Sequence, residues 1–334
     1  MCNNRNFLAV RFRKVLREAG GCLEMATEPI LAALDVAAVQ RRHGLARSGV
    51  LSGYWSLTKP EVNFLIAVTA AAGFWMGAPS SFAHFPLTSL LHTLVGTVLV
   101  ASGAATLNQL IELRFDAQMR RTARRPLVSR SIEPSHALWF GISLAVVGAI
   151  YLAVTTNALA SLLSILTLLG YLFLYTPLKR KTPLCTLIGA LPGAAPPLIG
   201  WAAACGRLAG NAWLLFAIVF LWQFPHFMAI AWMYREDYAR AGYVVLPTGK
   251  SKDRFVAWQT LLPSLALLAV ALVPAIRGES GIVYFAGALV LGGIFLRYSA
   301  RFTFQMSTSS ARRLLFASIL YLPALFALLA LDKK

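Results

Sequence analysis

Three side chains with oxygen donors, Asn108, Glu112 and Asp116, follow one another at intervals of four residues. On a helix each interval drifts by about 40°, so the three side chains fall within about 80° of one face and span about 12 Å. A stripe of that length can hold a metal diphosphate. Mg²⁺ prefers one or two protein carboxylates and completes its shell with phosphate oxygens and water, so sparse carboxylates favour Mg²⁺ over Ca²⁺.

A second acidic group, Glu236 and Asp237, lies far along the chain, and both groups occur among loops rich in Lys and Arg. Two interpretations of the first stripe stay open. Its carboxylates either bind a ligand or form ordinary ion pairs with the nearest arginines at a solvated helix end. Ionisable groups at a membrane edge are costly to maintain, and arginines suit phosphate oxygens, so the balance favours a functional site.

The composition indicates that membrane helices carry these residues. Of the 334 residues, 58% are hydrophobic and 13% are charged, and the mean hydropathy is +0.65. So apolar a chain excludes a water-soluble enzyme and a nucleic-acid-binding protein, although the net charge is +18. The four cysteines have no paired spacing and no neighbouring histidines, so neither a zinc site nor a disulfide framework is predicted.

Apolar segments long enough to cross a bilayer recur along the chain. They predict an all-α polytopic membrane protein, a bundle of nine transmembrane helices within residues 57–334. Residues 1–56 are predicted to form a cytoplasmic tail that is partly amphipathic. The nine predicted helices are 62–78, 87–107, 136–155, 158–175, 184–204, 212–233, 257–276, 281–296 and 313–331.

The distribution of cations predicts the topology. Most of the 31 Lys and Arg residues lie in the tail and in every second loop after it. Such loops stay in the cytoplasm, so the amino terminus is predicted to be cytoplasmic and the carboxyl terminus to lie on the other side. A bacterial plasma membrane is the predicted location. A mitochondrial inner membrane is the alternative, less favoured because acidic residues follow early in the tail.

Four ordered blocks resemble the intramembrane prenyltransferases of the UbiA type, and in particular the branch that makes haem O. Residues 108–127, NQLIELRFDAQMRRTARRPL, are similar to the NxxxDxxxD region of that family. The other blocks are residues 57–62, 175–201 and 222–247. The chain departs from the pattern at three positions: Glu112 stands where the family often has Asp, Arg114 where this branch often has an acid, and Glu61 where Arg is common.

The resemblance implies transfer of a farnesyl group from farnesyl diphosphate to a vinyl group of haem B, with Mg²⁺ as cofactor. It implies a catalytic Mg²⁺-diphosphate site formed by Asn108, Glu112, Asp116 and Asp237. The implied diphosphate contacts are Arg121, Arg125, Lys179, Arg180 and Arg235. His226 is predicted to lie in the haem pocket, with ligation of the iron left open. Candidate partners are haem A synthase and oxidase assembly proteins.

Three other functions stay open at this stage. A prenyltransferase acting on a quinone precursor would share the carboxylate stripe but would not need the histidine in the sixth predicted helix. A secondary transporter would place its acids near the bilayer midplane. A haem-handling scaffold without catalysis would have no use for the stripe.

Overall fold

The computed structural model describes residues 49–79, 85–247, 249 and 251–334. In these ranges the regular structure is helical, apart from one isolated bridge between Ser280 and Lys333, so the predicted fold class is confirmed. The predicted tail lies outside the described residues up to residue 48, and its amphipathic stretch lies there with it. The end of the tail belongs to a short helix, α1 (Val50–Leu57).

Eight helical spans are long and apolar enough to cross a membrane. The second helix, α2 (Pro60–Gly77), is not among them; its first turn contains Glu61 and Asn63, so a ninth crossing stays a prediction. The eight spans are α3 (Leu87–Ile111), α5 (Pro134–Thr155), α6 (Ala158–Leu178), the pair α7 (Cys185–Gly193) and α8 (Pro196–Cys205), α9 (Gly210–Met233), α11 (Ser251–Ile276), α12 (Ile282–Gln305) and α13 (Thr308–Leu331). The two short helices α4 (Leu113–Asp116) and α10 (Arg235–Arg240) follow α3 and α9.

Two spans depart from regular α-helical geometry. Residues Gly170–Tyr175 of α6 form a π-helical turn, a rare feature that occurs often at functional sites. The predicted helix 184–204 is divided into α7 and α8, which corrects the expectation of one continuous helix. The division precedes Pro196, because proline has no N–H to continue the helical hydrogen bonds and fits best in a first turn.

At one end of the bundle, the segments that follow α3, α6 and α9 meet. The Arg121 backbone N–H donates to Asp237 Oδ2 at 3.3 Å. The Val244 backbone N–H donates to Lys179 O at 2.8 Å. Three loops predicted to share one side of the membrane are therefore in contact, whereas the compartment that they face stays a prediction.

At the opposite end, the carboxyl terminus is bound to the end of α2 and to the loop that follows α11. Lys333 Nζ donates to the carbonyl oxygens of Trp75 and Ala78, at 2.8 and 2.7 Å. The Gly281 backbone N–H donates to Asp332 O at 3.0 Å. The last residues of the chain therefore lie at the end of the bundle remote from the carboxylates.

Helices α2 and α8 pack with their backbones in direct contact. A Cβ atom added to Gly200 would lie 1.9 Å from Ala70 O, and one added to Gly73 would lie 2.0 Å from Pro197 O. No side chain fits at either distance, so these two glycines are required by the approach of the helices.

We expect Gly200→Ala to lower the free energy of unfolding by about 1–3 kcal/mol, because the added methyl group forces α2 and α8 apart. The measurement is the thermal unfolding midpoint of the purified protein in one detergent. Gly293→Ala is the matched control, since a Cβ there has no neighbour within 4 Å. Equal midpoints for the two variants would contradict the prediction.

Candidate active site

The stripe of Asn108, Glu112 and Asp116 is buried where α3 ends. The helix stops at Ile111, and the short helix α4 then carries Asp116. The spacing of four residues persists because Glu112 N donates to Asn108 O at 2.9 Å and Asp116 N donates to Glu112 O at 2.8 Å. The three side chains therefore keep the predicted arrangement across a break in the helix.

A chain of hydrogen bonds links this stripe to α6. Thr176 Oγ1 donates to Asn108 Oδ1 at 2.8 Å, and Asn108 Nδ2 donates to Glu112 Oε2 at 2.8 Å. Lys179 Nζ lies 2.7 Å from Glu112 Oε1. Burial by itself raises the pKa of Glu112, but the charge and hydrogen bond of Lys179 more than offset it, so the pKa lies below its usual value. Glu112 is therefore an ionised carboxylate with both oxygens engaged.

Asp116 differs from Glu112 in having one free oxygen. Its Oδ2 forms an ion pair with Arg125, whereas its buried Oδ1 has no hydrogen-bond partner among the described residues. Burial raises the pKa of Asp116, and Arg125 opposes that shift. Both carboxylates are buried, which disfavours the interpretation that they are ordinary ion pairs at a solvated helix end. A buried oxygen without a partner instead suits a bound cation.

Lys59 joins this cluster, although its place before the first predicted helix indicated only one of the many cations on that side of the membrane. Its φ of 51° lies in the left-handed region and turns the chain between α1 and α2. Burial, followed by the charge of Arg125, lowers the pKa of Lys59 to about 8, while Glu112 and Asp116 oppose the shift. Three cations, the third being Lys179, thus surround two carboxylates. This excess of positive charge suits phosphate oxygens. The similarity of residues 57–62 to the prenyltransferase family was the sequence signal that could have identified Lys59.

Tyr243, in the segment after α10, closes over the cluster. Its ring packs against Phe115 and Tyr238, with centroid distances of 5.7 and 5.9 Å. Burial and the nearby charge of Glu112 raise the pKa of Tyr243, so its hydroxyl stays protonated. That buried hydroxyl makes no hydrogen bond of acceptable distance and angle with any described residue. A metal diphosphate would satisfy both unpartnered groups, offering a cation to Asp116 and an oxygen to Tyr243. A lone loop tyrosine carries no spacing signal, so sequence reasoning missed it.

Asp237 lies at the same end of the bundle as Asp116, within α10. Its Oδ2 accepts from the Arg121 backbone N–H, and its Oδ1 lies 3.1 Å from Arg240 Nη1. The Arg121 guanidinium lies 4.8 Å from the ring centre of Tyr234, at the end of α9. Asp237 therefore holds the turn that connects Asp116 to its partner arginine.

Arg180 and Arg235 lie apart from the carboxylate cluster. Arg180 is exposed, with its guanidinium 4.3 Å from the ring centre of Phe115. Arg235 lies 5.2 Å from the ring centre of Trp232 and 3.7 Å from the exposed carboxylate of Glu236. Neither arginine pairs with a carboxylate of the cluster, so their role in diphosphate binding stays a prediction.

His226 lies deeper in α9, eleven residues before Asp237. That separation corresponds to roughly 16 Å along a helix. Its Nδ1 lies 2.7 Å from Ser318 Oγ of α13, and its ring stacks on Trp222 at 4.6 Å. His226 is thus remote from the carboxylates, and its place in a haem pocket stays a prediction.

Within the described ranges no three His, Cys, Asp or Glu side chains come together as a metal site formed by protein groups alone. Two of the carboxylates at this end of the bundle, Glu112 and Asp116, instead form ion pairs with Lys179 and Arg125. Mg²⁺ needs only one or two protein carboxylates where phosphate oxygens complete its shell, and Asp116 Oδ1 fits that requirement. The metal role stays a prediction for all four residues, and the side-chain oxygens of Asn108, Glu112 and Asp237 are already engaged.

Comparison with known proteins gives a consistent result over most of the chain. The model of the UbiA prenyltransferase family matches residues 66–320. A protein of Solibacter usitatus named protoheme IX farnesyltransferase is 46% identical over 286 residues, which cover 84% of this chain and 98% of that protein. A protein of Koribacter versatilis with the same name is 44% identical over 299 residues, covering 87% and 96%.

Solved structures share the helical fold at low sequence identity. One described as digeranylgeranylglyceryl phosphate synthase has a TM-score of 0.67 at 17% identity, covering 85% of this chain and 98% of the other. A UbiA homologue of Archaeoglobus fulgidus, bound to GPP and Mg²⁺, has a TM-score of 0.59 at 15% identity, covering 83% and 99%. These similarities establish the arrangement of the helices.

Proposed function

The chain belongs to the UbiA prenyltransferase family, and from this premise we propose that it transfers a farnesyl group from farnesyl diphosphate to a vinyl group of haem B, forming haem O. The names of its bacterial relatives support this pair of substrates. The product serves haem-copper oxidases, so haem A synthase and oxidase assembly proteins are the expected partners.

One observation carries the proposal: three cations surround two buried carboxylates, and Asp116 keeps a free oxygen. This arrangement binds an anion that arrives with a divalent metal. It lies beyond the membrane-spanning parts of α3 and α9, where a diphosphate from the aqueous phase can enter. A secondary transporter, by contrast, is expected to hold its acids near the bilayer midplane, so this position favours an enzyme.

The carbon–oxygen bond of the prenyl diphosphate breaks, and both electrons leave with the diphosphate. The haem vinyl group supplies the electrons of the new carbon–carbon bond. Water then adds to the other vinyl carbon, forms the carbon–oxygen bond of the hydroxyl group of haem O and releases one proton. When bound, Mg²⁺ neutralises charge on the departing oxygens. Arg125 and Lys179 are placed to transfer their hydrogen bonds from carboxylates to phosphate oxygens, and Tyr243 adds a neutral donor. No protein nucleophile is needed.

Asp116, Glu112, Asn108 and Asp237 would hold Mg²⁺, and Asp116 would offer the oxygen that has no partner among the described residues. We place the protein in a bacterial plasma membrane with the carboxylate end in the cytoplasm, because the loops at that end carry most of the cations.

The direct test supplies membranes containing this chain with haem B, farnesyl diphosphate and Mg²⁺. We expect a haem whose mass has increased by a farnesyl group and one hydroxyl group, and no such product when Mg²⁺ is chelated. The matched acceptor is 4-hydroxybenzoate in place of haem B. An unchanged haem together with a prenylated benzoate would move the chain to the quinone-precursor enzymes and refute the proposal.

A further inference from the structure

Beside the carboxylate cluster lies an open cleft of about 470 Å³ that the proposed mechanism does not use. Tyr238 and Tyr243 separate it from the cluster and line it on that side. Its other walls are mostly apolar, and they come from α10, from the segment that follows it and from the start of α11. The lining includes Arg235, Tyr238, Tyr243, Val244, Leu246 and Lys252.

The charged residues that line this cleft are both cations. Arg235 and Lys252 lie on the same indole ring, 5.2 and 4.7 Å from the ring centre of Trp232. Lys252 has no ion pair with a carboxylate in the part of the chain that the structure describes. Among the described carboxylates Arg235 pairs with Glu236 alone, at 3.7 Å, and that side chain is 83% exposed. Its Nη1 donates to Trp232 O at 2.9 Å, which leaves its other guanidinium nitrogens free for a ligand. Exposed pairs of this kind contribute little, so both cations are available to an anionic ligand.

The cleft does not suit a second metal diphosphate. No carboxylate among the described residues lines it, so these residues offer no ligand for the Mg²⁺ that accompanies a diphosphate. An anion held there must be neutralised by Arg235 and Lys252 alone. A ligand with two singly charged carboxylates meets that requirement. Its body should be flat and apolar, because it contacts the remaining walls.

We propose that this cleft binds the propionate edge of haem B, with Arg235 and Lys252 each contacting a propionate carboxylate. This inference rests on the proposed function. Haem B carries its propionates on the porphyrin edge opposite its vinyl groups. Holding the propionates at the aqueous end of the bundle leaves the vinyl edge to point past Tyr238 and Tyr243 toward the prenyl diphosphate. The two cations thereby orient the acceptor and select a porphyrin with free propionates.

The test is a double variant, Arg235→Gln with Lys252→Gln, in nanodiscs of phosphatidylcholine, where no anionic lipid competes. We expect its KM for haem B to rise about tenfold or more, as for the loss of charged hydrogen bonds. The KM for farnesyl diphosphate should stay within about twofold. Arg254→Gln is the matched control, because it removes an exposed cation near Lys252 that does not line the cleft.

The second arm uses haem B dimethyl ester, which has no propionate charge. For the wild type the ester should bind about tenfold more weakly than haem B in a Soret titration without farnesyl diphosphate, and for the double variant the two should bind equally. Equal binding of the ester and haem B by the wild type would overturn the proposal. So would a rise confined to the KM for farnesyl diphosphate, which would return Arg235 to diphosphate binding. Because the titration needs no turnover, it tests the cleft even if the wild type forms no haem O.

Discussion

Replacing Asp116 with Asn is expected to lower haem O formation by about a hundred- to a thousandfold, the effect of removing one major electrostatic contact at a departing group. The substitution keeps the size of the side chain but removes the negative charge of its one unpartnered oxygen. The proposed Mg²⁺ site then loses the charge of the oxygen that has no other partner. The measurement is the initial rate of haem O formation, followed by chromatography and mass spectrometry over a series of Mg²⁺ concentrations.

Asp253→Asn is the matched control for Asp116→Asn. Asp253 is an exposed acid in the first turn of α11, and its loss changes the net charge by the same amount. We expect the control to retain wild-type activity. Both variants should reach the membrane in equal amounts, which immunoblotting of membrane fractions checks. Full activity of Asp116→Asn would remove Asp116 from the metal site.

Asp237→Asn is expected to reduce activity by about a hundredfold. Its amide oxygen can still accept the hydrogen bond from the Arg121 backbone, so the turn that carries Arg125 should persist. The substitution removes the carboxylate charge that we propose binds the metal of the metal diphosphate. It also removes the ion pair with Arg240. The same haem O assay measures the loss.

Arg240→Gln separates the two contributions, because it removes the same ion pair and leaves the Asp237 carboxylate in place. The Arg240 side chain is 42% exposed, so loss of the pair should change activity by no more than about fivefold. If Arg240→Gln were as damaging as Asp237→Asn, Asp237 would act through its ion pair and would not be a metal ligand.

The sequence predicted those parts of the fold that depend on local periodicity. Hydrophobic length located the eight spans, and spacing by four placed Glu112 and Asp116 together. Helix ends were less predictable, because backbone hydrogen bonding continues where hydropathy has already fallen. The last predicted helix, for example, begins at residue 313, whereas α13 begins at Thr308, where Ser307 caps it through a hydrogen bond to the Ser310 backbone.

The partners of the carboxylates could not be derived from spacing. Lys179 lies 67 residues from Glu112 along the chain, and Lys59 reaches the cluster from before α2. Such contacts depend on how the helices pack, which one sequence does not specify. The prediction that Arg235 contacts the diphosphate relied on the family resemblance and on its lying on the same predicted side of the membrane as the carboxylates. The structure shows that one end of the bundle contains two separate groups of cations.

The attachment of Lys333 to the end of α2 offers a way to determine the orientation of this protein in a cell. Lys333 hydrogen-bonds two carbonyl groups, so a reporter enzyme should be fused after Lys334 through a flexible linker that leaves the ammonium group undisturbed. That fusion would sample the compartment opposite the carboxylates. Alkaline phosphatase, active only after export, and green fluorescent protein, fluorescent only when retained, would then report which compartment supplies the prenyl diphosphate.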